Sequence, residues 1–135
     1  MKPGGRSGEG DKFFRMLVWT HATYILLTAI WPLIDIESFM EVTGPKRDAW
    51  LVKTVGALLI PVAASLYTYL ILETDPMPAI VLGLLTALAF VTIDFYYALN
   101  DVIPDIYLAD GAAQVIFSIA WIYVGFSKKY QNGKR

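Results

Sequence analysis

Residues 78–99, PAIVLGLLTALAFVTIDFYYAL, hold one charged side chain in twenty-two positions. A helix rising ~1.5 Å per residue over that length covers the ~30 Å of hydrocarbon in a bilayer, where every backbone N–H and C=O must be satisfied within the protein. The run has no polar/apolar alternation, so it reads as a transmembrane helix and not as a barrel strand. Three further runs share this character, at about 13–34, 50–72 and 110–127. The first is too long for the apolar part of a signal peptide, and Trp31-Pro32 near its end makes a poor cleavage site, so it reads as a retained span. The fold class that follows is all-α, a four-transmembrane-helix antiparallel bundle occupying residues 13–127.

Composition agrees. The 135 residues are 56% hydrophobic and 17% charged, with a mean hydropathy of +0.52, too apolar for an ordinary soluble domain and short enough to be one domain. Eleven basic and twelve acidic residues leave a formal charge of −1, which argues against a nucleic-acid partner, since that would call for a concentrated basic face. With no cysteine, thiolate metal sites, disulfides and thiol catalysis are excluded. Residues 1–12 are Gly-rich and charged and are expected to be a disordered tail, while 128–135 form a basic C-terminal tail.

Orientation follows from the basic flanks. Lys2, Arg6, Lys12 and Arg15 lie at the N-terminal flank and Lys128, Lys129, Lys134 and Arg135 at the C-terminal flank, whereas the only charged residues of the loop from 100 to 110 are Asp101, Asp105 and Asp110. The positive-inside rule then puts both termini in the cytoplasm, which needs an even number of crossings. Lys46 and Arg47 dissent, among the acids Asp35, Glu37, Glu41 and Asp48 of a polar loop spanning 35–49. Trp50, Tyr96, Tyr97 and Tyr107 are expected to form an outer aromatic belt, and Trp19, Tyr69 and Tyr123 an inner one.

A charge within a span is costly and turns toward the bundle interior or snorkels to the interface. Each helix offers a stripe at steps of three and four: His21, Tyr24, Thr28, Trp31 and Asp35 on the first, Lys53, Gly56, Ile60, Ala64 and Tyr67 on the second. The third offers Gly83, Ala87, Phe90, Asp94 and Tyr97, and the fourth Asp110, Gln114, Ser118, Trp121 and Gly125. Lys53 and Asp94 lie three to five residues from the outer ends of their helices, roughly 5 to 8 Å deep. These depths predict a Lys53–Asp94 ion pair with Gln114 and Asp110 beside it, forming the floor of an outward-opening cavity, with Trp31 and Tyr97 as aromatic candidates for its walls. The bland reading is an orienting lock between helices. His21, the only histidine, is expected to be a hydrogen-bonded or interfacial residue and not a haem ligand. Pro61 should kink the second span.

No phosphate loop, His-Glu-x-x-His, Gly-x-Ser-x-Gly or Glu-x-x-His pattern occurs, so no metal site is supported and no cofactor is indicated. The stretches WPLIDIESFMEVTGPKRDAWLVKTVGALL (31–59) and DFYYALNDVIPDIYLADGAAQVIFSIAWI (94–122) resemble a group of small, uncharacterised bacterial four-helix membrane proteins, broadly similar in layout to the DoxX-like class. The resemblance implies a bacterial inner membrane and brings no catalytic residues with it. Three roles stay open. One is a protein that binds a small amphipathic or lipid-like ligand, one an enzyme using Asp94 as acid or base on a membrane-embedded substrate, and one a structural or assembly subunit. The partners implied are the lipid bilayer, such a ligand, and further copies of the chain in a homo-oligomer.

Overall fold

The structure is a computed structural model describing residues 8–132, with side chains through residue 127. Among the described residues every regular element is a helix: α1 (Glu9–Ile34), α2 (Ile36–Thr43), α3 (Ala49–Leu72), α4 (Met77–Leu99) and α5 (Ile106–Asn132). α1, α3, α4 and α5 are each long and apolar enough to cross a membrane. Large apolar side chains such as Leu27, Leu58, Leu85 and Ile116 are 60% or more exposed, an outer surface suited to hydrocarbon and not to water.

α1 begins at Glu9, four residues ahead of the expected start, because Glu9 and Asp11 sit in its first turn, where acids complement the positive end of the helix dipole. Residues 9–12 are therefore helical, and the rest of the expected tail, 1–7, lies outside the described residues. α5 likewise runs on to Asn132 through the stretch expected as a basic tail. The polar loop expected over 35–49 contains α2. Asp35 Oδ1 accepts from the Ser38 backbone N–H at 3.0 Å, an N-terminal cap, and Phe39 and Thr43 turn inward. Gly44 ends the helix at a φ of 83°.

The long helices pack as two antiparallel pairs. α1 lies along α3, with Arg15 paired to Glu73 at one end, Thr23 bonded to Tyr67 in the middle and Ala29 beside Gly56 toward the other end. A Cβ at Gly56 would stand 2.6 Å from the Ala29 carbonyl oxygen, so the missing side chain lets the two backbones approach. α4 lies along α5 in the same sense, Gly83 facing Trp121 and Ile80 facing Gly125. α1 and α5 meet along a third seam, joining the pairs through a core of Phe14, Leu17, Val18, Ile25, Leu66, Trp121 and Val124. α3 runs unbroken through Pro61.

Gly83 is the tightest joint. A Cβ there would fall 2.2 Å from the Trp121 ring, and Trp121 is fully buried with its Nε1 bonded to His21, so the ring is not free to give way. Gly83→Ala should destabilise the fold by about 1–3 kcal/mol, read as a lower melting temperature of the detergent-solubilised protein by circular dichroism.

Candidate functional site

At the end of the molecule away from the termini, the last turns of α1, the whole of α2, the first half of α3, the last half of α4 and the first turns of α5 enclose a cavity of about 530 Å³. That is the size of a small-molecule site. Trp31, Phe39, Phe90 and aliphatic side chains of α3 form most of its wall, and its polar lining comes from Tyr24, Thr28, Thr43, Tyr107, Asp94 and Asp110.

α2 is the cover. Trp31 Nε1 donates to Ser38 Oγ at 2.9 Å, and the Trp31 and Phe39 rings meet edge to face at 5.4 Å, which holds α2 against the end of α1. The Asp35 cap also keeps that carboxyl below its usual range, because the Ser38 N–H and hydroxyl bond its charged form. On the far side of α2, Lys46 Nζ donates to the Thr43 and Gly44 carbonyls and stands 5.3 Å from the centre of the Tyr107 ring. Its partial burial there lowers the ammonium from its ordinary value.

Asp94 is 3% exposed and its Oδ2 has no hydrogen-bond partner. Asp110, one helix over, accepts from the Tyr24 hydroxyl at 2.6 Å and lies within side-chain hydrogen-bond reach of Asp94. Two carboxyls thus share one apolar chamber with no basic side chain in its lining. A buried polar atom left unpaired costs about 1–3 kcal/mol, more when charged.

Next to the chamber lies a satisfied polar column between α1 and α5. The Trp121 indole can only donate, and it donates to His21 Nδ1 at 2.9 Å; the ring proton therefore sits on Nε2, which donates to Gln114 Oε1 at 3.2 Å. Phe117 stacks on His21 at 4.3 Å. The histidine is a hydrogen-bonded core residue, and among the described residues no group of three or more metal-ligating side chains is gathered anywhere.

The structure divides the residues singled out from sequence. Asp94, Asp110 and Trp31 line the cavity. Gln114 is buried but spends its side chain on His21. Tyr97 is 41% exposed and packs edge-on against Tyr96, because after Asp94 the inward face of α4 continues with Ala98. The expected Lys53–Asp94 ion pair does not form. Lys53 is exposed, since the inward face of α3 follows Val52, Gly56, Leu59, Ala63 and Leu66, and one residue of offset turns Lys53 about 100° away. An ion pair does form between Arg15 and Glu73, at 2.6 Å and largely exposed at the opposite end.

Sequence reasoning missed Tyr107, which was assigned to the belt, and the α2 residues Phe39 and Thr43. The spacing of Asp35 and Ser38 before Phe39, Met40 and Thr43 was the available signal for α2. Comparison of the chain with protein-family models, with curated proteins and with solved structures finds no match.

The polar column predicts an asymmetry. His21→Phe strands a buried indole N–H and a buried amide oxygen together and should cost roughly 2–5 kcal/mol. Thermal unfolding of that variant beside Tyr67→Phe, whose hydroxyl is bonded in a part-buried position, should show much the larger loss at His21.

Proposed function

We propose that the protein spans the bacterial inner membrane four times, with both termini cytoplasmic, and binds a small amphipathic or lipid-like molecule in the cavity under α2, which then faces outward. The observation that carries this reading is Asp94: a carboxyl 3% exposed, with one oxygen unpartnered, in the wall of a chamber of about 530 Å³. Evolved interiors rarely leave a buried polar atom unpaired, and intramembrane ionisable groups are costly enough to mark working sites. Aromatic and aliphatic walls with few polar groups suit an amphipathic molecule better than a polar metabolite. The basic flanks and the acidic loop between α4 and α5 support the orientation.

Native mass spectrometry of the protein released from mild detergent should reveal a co-purifying small molecule on the wild type that is depleted on Asp94→Asn, with both proteins melting alike. An unliganded wild type, or equal occupancy on both, counts against the reading.

The absence of cysteine makes orientation directly testable. Asp105→Cys in the α4–α5 loop should react with a membrane-impermeant maleimide added to intact spheroplasts, and Gly10→Cys, whose position is open, should react only after lysis.

A further inference from the structure

α3 and α4 follow each other in sequence, yet among the described residues no side-chain hydrogen bond joins them. Between them runs a second hollow of about 900 Å³, open along its length and bounded by Val62, Val81, Leu82, Leu85 and Ala89 among others. Val55, Leu59 and Phe90 line both this groove and the chamber that holds Asp94. The two spaces therefore meet at a common wall of three apolar side chains. One opens sideways from the bundle and the other ends in carboxyls.

The chemistry of the chamber restricts the head group. Its only charged lining residues are Asp94 and Asp110. The basic side chain expected to neutralise them, Lys53, is exposed on another face of α3, and Lys46 is held by the Thr43 and Gly44 carbonyls. Asp110 has a donor in Tyr24, and Asp94 Oδ2 has none. A hydrogen-bond donor that carries positive charge would satisfy Asp94 Oδ2 and offset the charge of the carboxyl pair. Trp31, Tyr24, Tyr107 and Phe39 also line the chamber, and aromatic rings attract a cation.

Building on the binding function above, we propose that the ligand is a single-chain amphiphile with an amine head, entering from the hydrocarbon between α3 and α4. The ammonium donates to Asp94 and is balanced by the Asp94–Asp110 pair, and the tail lies past Phe90 in the α3–α4 groove. A carboxylate or phosphate head is disfavoured by the same two acids, which it would have to approach unshielded.

The test is a head-group series at constant tail. Binding of tritiated dodecylamine to the full chain in detergent is measured by scintillation proximity, with unlabelled dodecylamine, dodecanol, dodecanoate and butylamine as competitors. Dodecylamine should compete at least tenfold better than dodecanol and dodecanoate, and Asp94→Asn should weaken it tenfold or more. Asp110→Asn, expected to act in the same direction, keeps the test open if Asp94→Asn does not fold. Ala89→Trp, which fills the groove, should weaken dodecylamine fivefold or more and butylamine less. If dodecanol or dodecanoate competes as well as the amine, the head-group assignment is overturned while ligand binding stands. If Ala89→Trp leaves dodecylamine unchanged, the lateral route is overturned. If no compound of the series binds and the wild type also carries no co-purifying molecule, the binding function fails with it.

Discussion

Two antiparallel helix pairs are held together by a buried directional joint, the column in which Trp121 donates to His21 and His21 donates to Gln114. Apolar side chains in an apolar solvent gain little from meeting one another, so helix association there depends on close packing and on hydrogen bonds that lipid cannot offer. The column supplies both. Trp121 fits against Gly83 on its own pair and bonds across to the other, which sets the register of α5 on α1. That register brings Tyr24 to Asp110 a turn further on, so the position of the carboxyl chamber follows from it.

The opposite seam has no such joint. α3 and α4 face each other across an apolar groove and touch the chamber through Val55, Leu59 and Phe90. The bundle is thus joined by hydrogen bonds along α1–α5 and, among the described residues, by apolar contact alone along α3–α4. Over the end of the chamber, α2 is tied to α1 by the Trp31–Ser38 bond and toward α5 by Lys46 over Tyr107.

Much of the inward surface was legible as helical phase. The α5 stripe of Gln114, Ser118 and Trp121 is buried as its spacing required, and so are Gly83, Ala87 and Asp94 on α4. α3 was misread by one residue. Its sequence offers small or apolar side chains at nearly every position, so Lys53-Gly56-Ile60 and Val52-Gly56-Leu59 are both acceptable stripes in isolation, and the choice is made by where α1 lies. The Lys53–Asp94 pair rested on that α3 stripe together with equal depth, and equal depth does not bring two side chains to the same face.

By itself the sequence determined the helical class and the four long apolar segments. It did so because hydrocarbon thickness and the need to satisfy the backbone leave a twenty-residue apolar run one conformation. It also determined that Asp94 would turn inward, since a carboxyl among small residues has no tolerable place in lipid. Only the tertiary structure decided what Asp94 meets there. The chamber it lines is completed by four other elements, among them a short helix hidden in a polar loop, and their approach depends on interhelical register, which composition and periodicity do not encode. The partner assigned to it from sequence was a lysine. The packing keeps Asp110, expected beside that pair, and removes the lysine, because the rotation of α3 that buries Gly56 against Ala29 carries Lys53 out of reach.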